Sequence, residues 1–429
     1  MEPIPNTMSA RCHSCRWPRV LLSTGVGRLH FVETAVALHE AGTDVRMITG
    51  WVPTSRQRWL ANLAGLLLGR PRLADRLSVR TADDRLPRSR IHACATAEGI
   101  AACGHRFLRS RGRTLPWVSR LTWMNFGRSS RRFIEGADVF HVRSGAGQGG
   151  AIAAARRCGM GVVVDHSIAH PGLMAQRLNP ELERHGMALL GGASDPFWSL
   201  VLQDCHEADV LLVNSAFVRD SFLAEGYDSR RIRIACLGVR QDFSDLKRDY
   251  RLHTPIRLLF TGGFGIRKGA ATLLEVMALL STRRTRWTLD VCGDATEIPR
   301  LAAVRQVPAG IRLRGSVLQE ELRGYLQTSD IYVFPSLLEG CAKSAMEALA
   351  AGLPVIATAE AGLPVEHMKT AWIVPPANAE AVVEAVETLS RDASLRESLG
   401  RRAADLVRSR FRWSDYARVV RGVHEELLG

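Results

Sequence analysis

Two glutamates in the C-terminal third of the sequence have the type and spacing to bind one extended polar ligand. Glu339 and Glu347 are eight residues apart, which on a helix is roughly 12 Å, so they can hardly share one proton or one small group. Each could instead hold a different hydroxyl-bearing part of a ligand. Between them, free N–H groups at the start of a predicted helix favour an anion such as a phosphate. The candidate residues of this anion site are Gly340, Cys341, Ala342 and Lys343.

Such a site fits a molecule that carries a sugar on each side of a phosphate group, which is how a nucleotide-activated sugar is built. The alternative is a surface loop followed by an ordinary helix with one solvated glutamate. The spacing of the two acids leaves both interpretations open.

The elements around these acids predict how they are positioned. Residues 331–334 (IYVF) form a short apolar run that is typical of a buried strand. Strong helix formers follow from residue 343, and Gly352 with Pro354 ends that helix before a second apolar strand at 355–357. A strand–loop–helix–strand unit predicts two parallel neighbouring strands. Ligands of such sheets bind beyond the carboxyl ends of the strands.

A second candidate site is the glycine-rich run 261–269, TGGFGIRKG, which follows a predicted strand and precedes a predicted helix. Its glycines allow the backbone to approach a ligand closely. Arg267 and Lys268 at the helix start could neutralise a diphosphate, the arginine as a fork and the lysine as a point charge. The alternative is a pair of solvated cations on a loop.

Residues 331–358 closely resemble the E-x7-E signature of family 4 glycosyltransferases, which are retaining enzymes with the GT-B fold. The matching parts are Pro335-Ser336, Glu339-Gly340, Glu347-Ala348 and the Gly-x-Pro-Val-Ile run at residues 352–356. The resemblance implies an α/β protein with two Rossmann-like, doubly wound domains that face a central cleft. It also implies transfer of a sugar from a nucleotide-diphosphate sugar to a hydroxyl acceptor, with no bound metal or other cofactor.

The resemblance also implies roles for individual residues. Glu339 would hold hydroxyls of the transferred sugar, Glu347 would grip the ribose, and Lys268 would contact the diphosphate. The arginine that the family often places beside the earlier glycine is replaced here by Gly263, and Arg267 could substitute for it. The backbone after Gly315 would contact the base, which makes Ser316 and Val317 candidates.

The first half of the chain supplies three further candidates by resemblance. Gly25 and Gly27 lie in a glycine turn after the first predicted strand, residues 19–23, where tight packing of strand on helix is an equally good explanation. His166 follows the predicted strand 161–165, and in the family a histidine at this place lies near the donor sugar. A neutral imidazole can donate to a sugar hydroxyl, and the alternative is a packed core histidine.

The order of predicted elements suggests two domains and a returning helix. Residues 1–18 lack periodicity and are expected to be a disordered tail. Residues 19–245 form the acceptor-side domain and residues 255–412 the nucleotide-sugar domain, with a charged linker between them. In GT-B proteins the last helix, here residues 413–429, crosses back onto the first domain. Arg240 stands where the family commonly has Asp, and no role is assigned to it.

The charge of the chain restricts its partners. The 429 residues carry a net charge of +14, and basic proteins bind nucleic acid, anionic membranes or acidic substrates. No nucleic-acid motif is present. The arginine-rich region 51–132 contains the apolar run 60–68 and a predicted helix with Trp117, Leu121 and Met124 on one face. An apolar face with an arginine rim predicts docking on anionic lipid; the alternative is packing of this face on the core.

The remaining sequence signals are weak. The pair Cys12 and Cys15 lacks a second pair and predicts a tail more readily than a metal site, and nine scattered cysteines imply no disulfide framework. No signal peptide is evident and no apolar run is long enough to cross a bilayer, so we expect a cytoplasmic protein, peripheral on the inner face of the plasma membrane.

Two other kinds of function remain open at this level. A nucleotide-sugar epimerase or a phosphorylase of the same fold would use the same donor domain. A basic binding protein whose catalytic site has lapsed would keep the fold without the chemistry. For a transferase, bacterial polysaccharide or glycolipid synthesis is the context that the family implies, with a saccharide or lipid-linked saccharide as acceptor.

Overall fold

The computed structural model describes residues 17–53, 56–57, 59, 84–95, 116–246, 248–301 and 307–429. Most of the predicted tail, the Cys12–Cys15 pair and the apolar run 60–68 lie outside the described residues. In the part of the chain that is described, no helix has the length and hydrophobicity to cross a membrane.

Seven parallel strands form the first sheet within the described residues, in the spatial order β3-β2-β1-β4-β5-β6-β7. These strands are β1 (Arg19–Ser23), β2 (Asp44–Thr49), β3 (Ile91–Ala93), β4 (Val139–Arg143), β5 (Gly161–His166), β6 (Val210–Val213) and β7 (Ile232–Ile234).

Six parallel strands form the second sheet in the part of the chain that the structure describes, in the order β10-β9-β8-β11-β12-β13. These strands are β8 (Ile256–Thr261), β9 (Trp287–Cys292), β10 (Ile311–Gly315), β11 (Ile331–Phe334), β12 (Val355–Thr358) and β13 (Trp372–Val374).

Helices follow most strands and cover the sheets. Numbered along the described residues, they are α1 (Phe31–Glu40), α2 (Pro116–Ser130), α3 (Ala151–Arg157), α4 (Pro171–Arg184), α5 (Pro196–Glu207), α6 (Ala216–Leu223), α7 (Gln241–Ser244), α8 (Ala270–Ser281), α9 (Gln319–Thr328), α10 (Lys343–Ala350), α11 (Ala379–Arg391), α12 (Ala393–Arg410) and α13 (Trp413–Glu426).

Both sheets reverse their strand order at an equivalent place, between β1 and β4 in the first and between β8 and β11 in the second. A crevice opens at such a switch point beyond the carboxyl ends of the two strands. The glycine-rich loop after β8 and the acid-bearing loop after β11 therefore flank the same crevice. The predicted fold of two doubly wound, Rossmann-like domains is confirmed.

The strands that carry these loops are hydrophobic because helices cover both of their faces. All four residues of β11 are buried, as are five of the six residues of β8, all except Arg257. Phe260 and Phe334 stack at 5.5 Å between ring centroids. The base of the second crevice is therefore a closely packed apolar layer that fixes the loops above it.

The last helix, α13, returns to the first domain. The hydroxyl of Tyr416 lies 3.2 Å from that of Thr34 in α1. His424 Nε2 lies 3.0 Å from His141 Nδ1 in β4. Two buried polar contacts, separated by about 400 and 280 residues in sequence, thus attach the C-terminal helix beside the first sheet.

Helix α3 begins late after β4. It spans Ala151–Arg157, although the strand ends at Arg143. Gly149 and Gly150 have φ values of 78° and 93°, a left-handed conformation that a right-handed helix cannot contain. Residues 144–150 therefore form a loop at the switch point of the first sheet.

A buried aspartate holds this loop. Asp204 in α5 accepts hydrogen bonds from the backbone N–H of Gly145 at 2.6 Å and of Gly147 at 2.8 Å. Its other oxygen accepts from the side-chain amide of Gln148 at 2.7 Å. Three donors on one carboxylate fix the shape of a segment that has no regular structure of its own.

The charged segment 243–254, predicted as a linker, packs on the second domain. Arg248 donates to the carbonyl oxygens of Ser329 at 2.7 Å and Ala351 at 3.1 Å. Burial lowers the pKa of this guanidinium to about 10. Apolar contacts attach the segment as well, because Phe243 is buried in the core and Leu246 and Leu252 pack against it.

Candidate active site

Two cations and one acid converge at the switch point of the second sheet. Arg267 Nη1 lies 2.6 Å from Glu339 Oε1, and Lys268 Nζ lies 3.6 Å from the same oxygen. Lys268 also sits over the Phe334 ring at 5.4 Å, and its side chain is only 20% exposed. Burial lowers the pKa of Lys268, and Glu339 opposes this effect. The structure thus brings together three of the residues that the sequence predicted.

Backbone contacts hold the two loops against each other. The N–H of Leu337 donates to the carbonyl of Arg267 at 2.9 Å. On the other side of the cation loop, a carboxylate oxygen of Glu297 accepts from the N–H of Ile266 at 2.8 Å. The cations therefore extend from a loop that is fixed at both sides, and Glu297 is a positioning residue that the sequence interpretation missed.

Glu347 is buried in α10 and lies 3.9 Å from Lys343, one turn earlier on the same helix. Burial raises the pKa of Glu347 to about 7; Asp242 adds to this increase, while Lys343 and Arg240 oppose it. A carboxyl group with this pKa changes its protonation state near neutral pH, and its ionised form can accept hydrogen bonds from two hydroxyls.

Arg240, to which no role was assigned, lies near this acid. Its guanidinium forms an ion pair with Asp242 at 2.8 Å and donates to Gln319 Oε1 at 2.8 Å. Gln319 begins α9, three residues after Ser316. Ser316 is exposed and Val317 half-buried, so both base-side candidates are accessible. The one signal in the sequence for Arg240 was its place where the family commonly has Asp.

His166 has the surroundings of a core histidine. The residue is 1% exposed, its Nδ1 lies 2.9 Å from the Ser144 hydroxyl, and its ring packs edge-on against Phe222 at 5.0 Å. Burial lowers its pKa to about 4, so the imidazole is neutral at pH 7. The contacts engage Nδ1 and the ring, and Nε2 is buried without a hydrogen-bond partner. Donation from His166 to a sugar hydroxyl stays a prediction.

A side chain at Gly25 or Gly27 would come very close to a neighbouring residue of the first domain. Gly25 has φ 70°, and a Cβ there would lie 2.4 Å from the Trp123 ring. A Cβ on Gly27 would lie 2.9 Å from an Arg143 nitrogen. The alternative of tight packing thus accounts for both residues, and their contact with the donor stays a prediction.

Arg143 is a further residue that the sequence interpretation missed. It ends β4, beside the switch point of the first sheet, and donates to the carbonyl of Gly27 at 2.9 Å. Its guanidinium lies 4.7 Å from the Trp123 ring centroid. Burial lowers its pKa to about 10, while Asp165 opposes this shift. A half-buried cation therefore faces the first glycine loop from the neighbouring strand.

A cavity of about 750 Å³ lies between the two domains on the far side of the cation loop. Its first-domain wall is aliphatic and comes from Met174, Leu178, Leu182 and Leu190. Its second-domain wall includes Arg267 and Lys268, but neither Glu339 nor Glu347 lines it. Among the described residues, no group of three or more His, Cys, Asp or Glu side chains is placed to hold a metal ion.

Comparison with known proteins gives sequence matches that include the second domain. Residues 255–392, which contain both loops of the second domain, match the family described as Glycosyl transferases group 1. The amylovoran biosynthesis glycosyltransferase AmsK of Erwinia amylovora is 28% identical over 194 residues, or 43% of this chain and 48% of the relative. The D-inositol 3-phosphate glycosyltransferase of Corynebacterium jeikeium is 31% identical over 250 residues, or 52% of this chain and 59% of the relative. The chain thus spans about half the length of these relatives.

Solved structures match along almost the whole chain. Sucrose-phosphate synthase of Thermosynechococcus elongatus superposes with a TM-score of 0.66 at 18% identity, covering 96% of this chain and 99% of that one. Anabaena HepE in complex with UDP and glucose superposes with a TM-score of 0.59 at 13% identity, covering 95% and 100%. Residues 255–392, about a third of the chain, therefore match the family of glycosyl transferases group 1, and the two domains have the GT-B fold.

Proposed function

We propose that this protein is a retaining glycosyltransferase that moves a sugar from a nucleotide-diphosphate sugar to a hydroxyl acceptor. The observation that carries the proposal is the convergence of Arg267, Lys268 and Glu339 at the switch point of the second domain. The context we propose is bacterial polysaccharide or glycolipid synthesis. It is supported by relatives named for the biosynthesis of amylovoran and of colanic acid.

In the proposed reaction, the bond between the sugar and the diphosphate breaks and negative charge grows on the leaving group. Lys268 and Arg267 would stabilise that charge from one side, together with the backbone N–H groups of Cys341 and Lys343 at the start of α10. The N–H of Ala342, which was predicted to join them, instead donates to the carbonyl of Ala361. Donors that are already in place cost no reorganisation during the reaction, and this makes them effective. Domain closure would exclude the water that otherwise hydrolyses the donor.

Glu339 has two tasks in this proposal. By pairing with both cations it partly neutralises them while the site has no donor bound. Arginine has five N–H donors and the lysine ammonium three, so phosphate oxygens can join the array without displacing the glutamate. A carboxylate offers about four acceptor positions, which leaves some of them for hydroxyls of the transferred sugar.

Glu347 would bind the ribose. Its burial makes an unpaired negative charge unfavourable, and two hydroxyl donors would compensate for that cost. In this proposal Arg240 and Gln319 would lie on the base side of this acid. Their hydrogen bond joins the end of the first domain to the start of α9.

A donor screen followed by product analysis tests the proposal. A thermal-shift panel of UDP-, GDP- and ADP-sugars identifies the donor, and NMR of the transfer product reports the anomeric configuration. We expect a rise in Tm with one base class and retention of configuration. An epimerase would release nucleotide without an acceptor, and a phosphorylase would require phosphate. A lapsed site would turn over no donor. Inversion at the anomeric carbon would contradict the proposed mechanism.

A membrane surface is the second partner that we propose. Trp117 and Leu121 in α2 are 52% and 55% exposed, whereas Trp123 and Phe126 of the same helix fill the core. Met124, the third residue of the predicted apolar face, is half-buried and packs against the core. The alternative of inward packing therefore holds for Met124 and not for Trp117 and Leu121. Exposed aromatic and aliphatic side chains beside arginines suit an interfacial helix on anionic lipid.

Vesicle sedimentation tests this surface. We expect the protein to bind vesicles of anionic lipid more than neutral ones, and the double change Trp117→Ser with Leu121→Ser to reduce binding at least tenfold. The matched control is Val419→Ser, another exposed apolar residue, on α13. Equal binding to both vesicle types, or a double variant that binds like the control, would refute the proposed surface.

A further inference from the structure

One serine of the first domain reaches the acid-bearing loop of the second. Ser215 caps α6, where its hydroxyl accepts from the N–H of Val218 at 3.2 Å. The same hydroxyl donates to the carbonyl oxygen of Gly340 at 2.5 Å. A hydroxyl has one donor and two acceptor positions, so this side chain can stabilise its own helix and bind the other domain at the same time.

Gly340 fits this contact because it has no side chain. A Cβ there would lie 2.0 Å from the carbonyl oxygen of Ser167 and 2.8 Å from the Asn214 side-chain nitrogen, both in the first domain. On the opposite side, a Cβ on Gly362 would lie 1.9 Å from the Gly340 oxygen. The backbone of Gly340 is thus enclosed between the two domains, directly beside Glu339.

The same loop is attached within its own domain. The N–H of Glu339 donates to the carbonyl of Glu360 at 2.8 Å, and that of Ala342 to the carbonyl of Ala361 at 3.0 Å. Arg177 of α4 in the first domain lies 3.7 Å from the Glu360 carboxylate. Residues 339–342 and the turn 359–362 therefore form one unit, and the first domain contacts that unit at two places.

We propose that Ser215 is a positioning residue that holds the Glu339 loop in place when the two domains are closed. The proposal rests on the function proposed above for Glu339. When the domains separate, the loop loses the hydrogen bond from Ser215 and the backbone wall of Ser167. The acid that faces Arg267 and Lys268 would then be fixed from one side alone. Correct placement of Glu339 is in this way coupled to closure of the cleft.

Two serine variants separate this role from helix capping. Ser215→Gly removes the donor to Gly340 but leaves α6 with a cap residue that costs only a few tenths of a kcal/mol. Ser221→Ala is the matched control, since it removes another buried hydroxyl of the same helix, one that bonds the first-domain groups Val218 and His170. Both variants lose a buried hydroxyl, but of these two hydroxyls only that of Ser215 contacts the second domain.

Hydrogen–deuterium exchange of the full chain gives the primary readout. We expect the amides of Glu339 and Ala342 to exchange about fivefold faster in Ser215→Gly, the ratio that loss of one typical hydrogen bond produces. Ser221→Ala should leave their exchange unchanged. With the donor found by the screen, Ser215→Gly should lower kcat about fivefold with little change in KM, and it should raise the fraction of donor lost to hydrolysis.

The outcomes of this experiment distinguish the two proposals. Equal exchange of residues 339–342 in Ser215→Gly and in the unmodified protein would overturn the role of Ser215, whatever the activity. Faster exchange in a protein that turns over no donor would leave the positioning role in place and refute the enzymatic function. Gly340→Ala is a stronger variant, because it puts a methyl group against the carbonyl oxygen of Ser167, which no change of rotamer can move. An unchanged exchange rate of the loop in this variant would also overturn the inference.

Discussion

Replacing Lys268 by methionine tests the assumption on which the proposed reaction depends most. This assumption is that the lysine ammonium stabilises the negative charge of the leaving diphosphate. Methionine keeps most of the length of the side chain and its contact with the Phe334 ring, and removes the charge. Loss of one donor that stabilises charge in the transition state typically lowers kcat by about 10²–10³, or about 2.7–4 kcal/mol. Because the side chain is largely buried, solvent screening weakens this effect little, and we expect at least a 100-fold loss of kcat/KM.

Stability should change much less than activity. Burial already disfavours the charged form of Lys268, and Glu339 keeps its 2.6 Å ion pair with Arg267 after the change. The free energy of unfolding should therefore shift by no more than about 1 kcal/mol, because Glu339 is not left as an unpaired buried charge, which is the costly result of breaking a buried ion pair.

The assay is nucleotide release from the donor that the thermal-shift screen selects, with denaturant unfolding measured on the same samples. Lys369→Met is the matched control, because that lysine is exposed and pairs with Glu366 at the surface, an interaction worth about 0–1 kcal/mol. If the kcat/KM of Lys268→Met stayed within threefold of that of the unmodified protein, the cation pair would not be what stabilises the leaving diphosphate.

Two further predictions concern buried carboxyl groups. Affinity for a nucleotide-diphosphate sugar, measured by calorimetry, should rise severalfold from pH 6 to pH 8. The reason is that ribose hydroxyls donate to the ionised form of Glu347, whose pKa is raised to about 7. The nucleotide-diphosphate sugar itself has no terminal phosphate group that titrates in this range. Glu347→Gln should bind more weakly and without this slope, and an unchanged slope would rule out Glu347 as its source. Asp204→Ala should lower the free energy of unfolding by about 2–4 kcal/mol, because it leaves the buried N–H groups of Gly145 and Gly147 unpaired. Asp209→Ala, which removes one such contact at a more exposed acid, should cost less, and equal losses would contradict this argument.

Local sequence was enough to predict the second domain and its two loops. The apolar run at β11, the helix formers of α10 and the glycine-rich run before α8 are all short-range signals, because strand burial and helix propensity depend on residues a few positions apart. The order of these elements also predicts that Arg267, Lys268 and Glu339 lie close together, because a parallel sheet brings the loops after β8 and β11 to the same edge.

Contacts across long stretches of chain decided the rest. His166 matches the family in order and context, yet Phe222 and Ser144 bury it, and nothing near residue 166 in the sequence shows this. Gly25 meets Trp123, about 100 residues away, and Ser215 meets Gly340 across 125 residues. The sequence therefore determined which side chains could do chemistry. The packing of two domains determined which of them are accessible and which are held in place, because burial and close contact depend on how distant segments meet.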